Sequence, residues 1–409
     1  MIRVVMVHQY DPSTTTHVGG IEVVINTFVK YAPADIEPRL IGITSDERAH
    51  PVGRWQPITI AGRDVQFLPI VAAQPGRTRG VPLSVRLTWA LARAHKAMDL
   101  RDTVLTFHRI EPTLAIQRAA APVVLFLHAH SNDLYNPMTE ITWGRFPWLY
   151  QWLERRLIQR PAQIFIVRED AAADYRARYP SVASRIQFLP TWVDEELFVS
   201  WPEPQRQAAR AQLAHRHGLD PSHRWVLFIG RFEGQKDPLL LLDAVRRLNG
   251  LQGSTQLVMI GRGTLEPQIK AFIGEHELGG MVRLVGPQPQ AELVRWLNAG
   301  DCLCLSSAFE GMPLVVLEAL QCGVPVVSTA TGQTPRILRE PAGVVVQERT
   351  AEALGRGLTA LLDRRPDRAA CQQLASPYTA RKALERVYAA YRDVHAQRTR
   401  TRGLTAGRG

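Results

Sequence analysis

Two glutamates eight positions apart, Glu310 and Glu318, flank the stretch Gly311-Met312-Pro313-Leu314-Val315-Val316-Leu317. The apolar run that ends at Ser306 reads as a strand, and Glu310 and Gly311 fall in the turn after it. Proline suits the first turn of a helix, so a helix is expected from near Pro313. The free backbone N–H groups of such a start attract an anion. Glu318 then lies inside that helix. A second apolar run, Trp225–Arg231, leads to two cations, Arg231 and Lys236. The first run, Ile2–His8, is followed by Gly19-Gly20-Ile21-Glu22, where glycine permits close backbone approach. Histidines close two more runs: His108 follows Thr103–Phe107, and His128 follows Val123–Leu127. Each feature also has an ordinary reading. Glu310 and Glu318 could be a solvated turn and a helix-surface carboxylate, and Arg231 and Lys236 plain surface cations. A glycine pair usually just turns the chain, and strand-end histidines are often satisfied core groups. His130 is read in that ordinary way.

These residues need elements to position them. Single cores stop growing near ~250–300 residues, so a chain of 409 residues implies two domains. In the first half, strands are expected at Ile2–His8, Thr103–Phe107, Val123–His128 and Gln163–Val167. Helices are expected from Ile21 and at Ser84–Met98 and Trp148–Gln159. In the second half, strands are expected at Trp225–Arg231, Gln256–Ile260, Arg283–Val285, Cys302–Leu305, Pro325–Ser328 and Gly343–Val346, with helices between them. Strand–helix alternation in both halves predicts two doubly wound parallel sheets. Pro190 to His223, with four prolines, reads as a linker that could be helical over 205–217. A helix is expected over 380–396, followed by a basic disordered tail, 397–409, rich in arginine, threonine and glycine.

The ordered set is specific. Glu310 and Glu318 resemble the Glu-x7-Glu signature of the retaining GT-B glycosyltransferases of family four. Phe228-Ile229-Gly230-Arg231 with Lys236, Met259-Ile260-Gly261-Arg262-Gly263, Leu284-Val285-Gly286 and Gly19-Gly20-Ile21-Glu22 resemble the same family at similar spacings. The resemblance implies two Rossmann-like domains facing a cleft. An acceptor-binding domain would occupy 1–192 and a donor domain 193–379, with helix 380–396 packing back on the first domain. It also implies a retaining, metal-independent hexosyltransferase that uses a nucleotide diphosphate sugar. By resemblance, Arg231 and Lys236 bind the diphosphate, Glu318 the ribose and Glu310 a hydroxyl of the donor sugar. The amides from Gly311 through Met312, Pro313 and Leu314 to Val315 contact sugar and phosphate. Gly20 lets its loop approach the phosphates, His128 lies beside the donor sugar, and His108 has a structural or acceptor-side place. The acceptor hydroxyl attacks from the face the diphosphate leaves, and a phosphate oxygen takes the proton, so no general base is assigned. No Asp-x-Asp metal motif occurs, and no metal or other cofactor is expected. The pattern is not followed everywhere: Arg336 stands where the family usually has an acid, and Ala129 where it often has Asp. A GT-B nucleotide-sugar epimerase and an inactive nucleotide-sugar-binding protein are the alternatives.

Composition bounds the partners. The net charge of +11 suits nucleic acid, anionic lipid headgroups or phosphorylated substrates. No nucleic-acid motif accompanies the charge, so nucleic acid is not an expected partner. No apolar run approaches the ~20 residues of a membrane-spanning helix. The N-terminus reads as a first strand rather than a signal peptide. Cys302, Cys304 and Cys322 read as core residues, and Cys371 shares with them a lack of zinc-ligand spacing. A cytoplasmic protein, peripheral at the inner face of the cell membrane, is expected. Trp143-Gly144-Arg145-Phe146-Pro147-Trp148-Leu149-Tyr150-Gln151-Trp152 with Arg155, Arg156 and Arg160 suits an anionic surface, and Arg77, Arg79, Arg86, Arg93 and Lys96 add a second basic region. The acceptor is then a glycan or a lipid-linked intermediate. The same aromatics could instead pack inward under a solvated arginine face.

Overall fold

The computed structural model describes residues 1–14, 19–73, 81–117, 119–128, 147–252 and 254–406. Among them, 1–128, 147–190 and 381–406 form one compact unit and 191–380 another.

The first unit is built on eight strands: β1 (Ile2–Val7), β2 (Ile36–Thr44), β3 (Gln56–Ile60), β4 (Arg63–Ala72), β5 (Thr103–Phe107), β6 (Val123–Leu127), β7 (Gln163–Ile166) and β8 (Ile186–Phe188). Their order is β3-β4-β2-β1-β5-β6-β7-β8. The described helices are α1 (Gly20–Tyr31), α2 (Leu83–Ala94), α3 (Pro147–Leu157) and α4 (Glu169–Arg178). β5 and β6 are buried along their whole length, as parallel strands covered on both faces must be. The expected all-parallel sheet needs one correction: β3 pairs antiparallel with β4. Ala61 and Gly62 between them both have positive φ, 49° and 78°, the backbone of a two-residue hairpin turn.

The C-terminal helix, Ala380–Ala406, docks on this unit. Tyr388 Oη donates to the Phe28 carbonyl at 2.8 Å, and the Tyr391 hydroxyl meets Thr106 Oγ1 at 2.7 Å in a buried pair. Arg392 forks onto Asp35 at 2.7 and 2.9 Å. The expected end at 396 and disordered tail from 397 are corrected: the helix continues to Ala406. The reason is local anchoring, since Arg398 donates to the Leu100 and Thr103 carbonyls at 3.0 and 3.3 Å.

The second unit has six strands: β9 (Arg224–Ile229), β10 (Thr255–Ile260), β11 (Val282–Leu284), β12 (Cys302–Leu305), β13 (Val326–Thr329) and β14 (Gly343–Val346). All pair in parallel, in the order β11-β10-β9-β12-β13-β14. Its helices are α5 (Glu203–His217), α6 (Pro238–Gln252), α7 (Glu266–Glu275), α8 (Gln290–Ala299), α9 (Leu314–Gln321), α10 (Thr334–Ile337), α11 (Ala351–Arg364) and α12 (Arg368–Ala375). The stretch read as a linker belongs to this unit from Thr191 and is helical over α5, which Gly218 ends at φ 63°. The four cysteines are buried free thiols.

Both sheets reverse strand order at one point. β1 lies between β2 and β5, and β9 lies between β10 and β12. In such sheets the loops leaving the carboxyl ends of the two central strands part and open a crevice.

Tyr391→Phe tests the docking of the C-terminal helix. Thr106 would lose its buried partner, at a cost of about 1–3 kcal/mol. Urea unfolding should show a lower midpoint; an unchanged midpoint would refute the role given to this pair.

Candidate active site

The chain leaves β9 through Gly230-Arg231-Phe232-Glu233-Gly234-Gln235-Lys236 and leaves β12 through Ser306 to Pro313. The switch point makes these two loops neighbours. Ser306 Oγ donates to the Lys236 and Asp237 carbonyls at 2.9 and 2.7 Å. Ala308 N donates to the Gln235 carbonyl at 2.8 Å, and Gln235 Nε2 returns to the Phe309 carbonyl at 3.1 Å. Across this seam Lys236 Nζ meets Glu310 Oε1 at 2.5 Å, and Ser307 Oγ donates to the same oxygen at 2.7 Å. Glu310 is buried and Lys236 half-buried, so each charge has its counterion at hand. Arg231, on the same loop, is exposed, with Nη2 on Gln235 Oε1 at 3.2 Å.

Neighbouring loops hold this pair from two sides. Glu233, buried, accepts from Thr264 N at 3.0 Å and from the Thr264 hydroxyl. A Cβ at Gly261 would lie 1.9 Å from the Gly230 carbonyl oxygen, so only glycine lets the loop after β10 pass there. The loop after β13 comes as close: a Cβ at Gly332 would meet the Gly311 carbonyl oxygen at 2.2 Å, and Gln333 N donates to that oxygen at 3.1 Å.

Helix α9 begins at Leu314 with Pro313 as its N-cap. Helix geometry leaves the first-turn amides, including those of Leu314 and Val315, without intrahelical acceptors four residues back. One expectation is corrected by covalent chemistry: Pro313 has no N–H and offers no amide to a ligand. The Met312 side chain is buried, and its sulfur accepts from Thr191 N at 3.1 Å. Glu318 is buried one turn into α9, and burial pushes its carboxyl up to about 7.

In the first unit a second cluster forms after β1, β5 and β6. His108 Nδ1 and His128 Nε2 lie 3.0 Å apart, so one ring donates to the other. Burial, then the charge of His8, pushes His128 down to about 3, and burial lowers His108 as well. Both rings are therefore neutral near pH 7. His8 Nε2 lies 3.4 Å from Glu22 Oε1, in the first turn of α1. Burial pushes Glu22 up, but the hydrogen bond and charge of His8, with Arg109, outweigh it and leave the carboxyl below its ordinary value. Gly20 is the first residue of α1 and follows an N-cap, Gly19, that makes no side-chain cap. The expectations for Ala129, His130 and Trp143 to Phe146 lie outside the described residues.

Two family models match this chain. The model described as Glycosyltransferase Family 4 matches residues 18–197, and that described as Glycosyl transferases group 1 matches residues 210–376. Each half of the chain therefore matches a glycosyltransferase family model. A D-inositol 3-phosphate glycosyltransferase of Pseudarthrobacter chlorophenolicus is 28% identical over 51% of this chain, a match that spans half of the relative's length. One of Xylanimonas cellulosilytica is 29% identical over 76% of this chain and 75% of its own. Among solved structures, sucrose-phosphate synthase from Thermosynechococcus elongatus has a TM-score of 0.72 at 18% identity, covering 100% of both chains. An Anabaena protein crystallised in complex with UDP-glucose has a TM-score of 0.71 at 13% identity, covering 96% of this chain and 100% of its own. These likenesses show the GT-B fold.

Arg231, Lys236, Glu310, Gly311 and the start of α9 come together in one unit. Gly20, His108 and His128 sit in the other. Sequence reasoning passed over His8 and Ser307. His8 was legible in principle, since it closes a strand as His108 and His128 do. Ser307 had no signal beyond its place three residues before Glu310.

The raised Glu318 carboxyl fixes a sign. Its folded value of about 7 exceeds the ordinary 4.5, so the folded state holds the proton more tightly. Stability from this group is fully present below about pH 4.5 and is lost as pH rises through about 7. Glu318→Gln should remove that fall, a difference of up to about 3 kcal/mol by pH 8. Chemical denaturation of both proteins from pH 4.5 to 8 measures it, and parallel curves would contradict a buried protonated Glu318.

Proposed function

We propose that this chain moves a hexose-type sugar from a nucleotide diphosphate donor to an acceptor hydroxyl, with retention at the anomeric carbon. The observation that carries the reading is the Lys236–Glu310 pair beside the amino end of α9, at the switch point of the second sheet. The leaving diphosphate develops negative charge, which fixed donors and cations stabilise without reorganising. Lys236 and Arg231 supply the charge, and the amides of Gly311, Leu314 and Val315 supply donors. A helix start contributes only ~0.3–1 kcal/mol to an exposed anion, so the cations matter more. A sugar hydroxyl replaces Lys236 on Glu310 as Lys236 turns to the diphosphate. Glu318 receives the ribose hydroxyls. The acceptor oxygen enters on the face the diphosphate leaves and passes its proton to a phosphate oxygen. On the family resemblance, Gly20 and His128 serve the same reaction, with His128 as a neutral hydrogen-bonding ring. The names of the curated relatives support glycosyl transfer, and the Anabaena complex with UDP-glucose supports a nucleotide-sugar donor.

Nucleotide release from a panel of UDP-, GDP- and ADP-sugars, with and without acceptor, tests this. Lys236→Met and Glu310→Gln each remove a charge-assisted contact worth about 1.5–3 kcal/mol, so each should slow release roughly ten- to over a hundredfold. Melting temperatures taken alongside separate lost chemistry from lost fold. Near-wild-type rates in either variant would overturn the assignment. Because the cations take the part a metal would, activity should persist in excess EDTA; loss on chelation with rescue by manganese or magnesium would refute that.

The acceptor side of the proposal is a lipid-linked or glycan hydroxyl at an anionic membrane. Trp89, Trp148 and Trp152 stand 66%, 68% and 57% exposed on α2 and α3; Arg93, Arg155 and Arg156 are exposed on the same helices, and Lys96 is exposed on the turn just after α2. Arg160 leaves the expected basic set, because it donates to the Ala119 and Ala121 carbonyls at 2.8 and 2.7 Å. Arg77 and Arg79 lie outside the described residues. No helix among the described residues is long and apolar enough to cross a membrane. Each basic residue near an anionic surface is worth about 1 kcal/mol, enough together for reversible binding. The protein should sediment with anionic vesicles at low salt and release at high salt. Equal, negligible binding to neutral and anionic vesicles would favour a soluble acceptor.

A further inference from the structure

The second unit has a cavity of about 480 Å³ at the opposite end of its sheet from the candidate active site. Its lining includes Arg224, which opens β9, Asp301, just before β12, and Pro325, just before β13. The active-site loops leave the other ends of β9 and β12. The volume falls within the ~300–1,000 Å³ of small-molecule sites.

The wall is strongly cationic. Arg206, Arg210, Arg224, Arg365 and Arg368 line it, answered by Glu203, Asp301 and Asp363, a formal excess of two positive charges (five minus three). Arg210 is committed to the wall: it donates to the Pro221, Ala299 and His223 carbonyls and pairs with Asp301 at 3.1 Å. Arg206 bonds Glu203 at 2.5 Å, and Arg224 bonds Asp363 at 3.2 Å. Arg368 uses one nitrogen, Nη1, on the Cys322 carbonyl at 2.9 Å and Ser200 Oγ at 3.3 Å. Burial, and then the charge of Arg206, pushes Arg368 down to about 10. Like charges gathered in a half-buried wall repel, and an anion between them would relieve that repulsion. Arg365 is exposed at the end of α11 with φ 46°, where glycine would sit without strain. The chain instead has a guanidinium at the rim.

We propose that this cavity binds a small soluble molecule carrying a phosphate or diphosphate group. Guanidinium forks match phosphate oxygens in pairs. Each phosphate monoester brings about −1.5 to −2 charges, so one phosphate or diphosphate group answers an excess of two. The site is separate from the donor site and does not depend on the proposed transfer reaction.

Calorimetric titration of the full chain with inorganic pyrophosphate tests it. Lys236→Met serves as background, so that any binding at the candidate active site is weakened first. Pyrophosphate should still bind this variant, and adding Arg365→Asn and Arg368→Gln should weaken that binding about ten- to over a hundredfold. Asparagine tolerates the left-handed backbone, and Arg365→Asn alone keeps the test usable if loss of the Arg368 bond to Cys322 unfolds the unit. A thermal melt should show pyrophosphate stabilising Lys236→Met but not the triple variant. Binding abolished by Lys236→Met alone, or unchanged by the Arg365 and Arg368 substitutions, would overturn the proposal. So would arginine-dependent binding of phosphatidic acid vesicles with no response to pyrophosphate, which would place the phosphate on a lipid.

Discussion

The ion pair between Lys236 and Glu310 is the contact around which the second unit is arranged. A buried carboxylate without a counterion is costly, and removing one partner of a buried pair typically costs 3–5 kcal/mol. The two residues are 74 positions apart in the chain and reach each other only because β9 and β12 are adjacent in the sheet. A shift of either loop would strand a charge. The seam of hydrogen bonds from Ser306, Ala308 and Gln235 keeps both loops in place, and Ser307 fixes the carboxylate oxygen that the lysine uses.

The glycines around this pair act through space rather than flexibility. Gly261 and Gly332 each stand where a side chain would collide with the backbone of a neighbouring loop. Their absence of Cβ lets the loops after β9, β10, β12 and β13 stack at backbone contact. Glu233 then ties the first two loops together through Thr264. For the proposed reaction, loops held this closely meet the condition for electrostatic stabilisation without reorganisation cost.

Much of this was legible in the sequence because central parallel strands are continuous apolar runs and the loops after them carry the polar residues. Thr103–Phe107, Val123–Leu127 and Cys302–Leu305 are buried throughout, and their edges could be read within a residue or so. The β3–β4 hairpin escaped because Gln56-Pro57-Ile58-Thr59-Ile60 is a short edge strand with polar alternate positions and a non-glycine residue opening its turn. Helix α4 escaped because its alanine-rich sequence has no apolar stripe of the usual width. The end of the C-terminal helix was misjudged because its anchor, Arg398, bonds residues about 300 positions earlier, and no local pattern reports that. Arg160 was misjudged for the same reason, since only the fold shows its guanidinium turned to carbonyls. In the site, type and spacing pointed to Glu310 and Lys236, but not to their bond with each other.

That bond changes the charge bookkeeping of the site. With Lys236 on Glu310, the pair is formally neutral in the structure described. Glu318, with its carboxyl near 7, is about half protonated at neutral pH. Two acids close to an anion's place would repel it if both were bare. Here one is matched by a lysine and the other holds its proton for much of the time. The remaining local field is the positive end of α9 and the exposed Arg231, both favourable to an arriving diphosphate. In the proposed reaction the diphosphate takes the place of Glu310 on Lys236 and a sugar hydroxyl takes the place of Lys236 on Glu310, so the lysine keeps a counterion and the carboxylate keeps a hydrogen-bond donor. The exchange needs both ends of the donor. A free nucleoside diphosphate offers Lys236 a phosphate but offers Glu310 no hydroxyl, leaving that buried carboxylate only the Ser307 hydroxyl. In the proposed reaction the site therefore favours the intact sugar donor over the nucleotide it leaves behind.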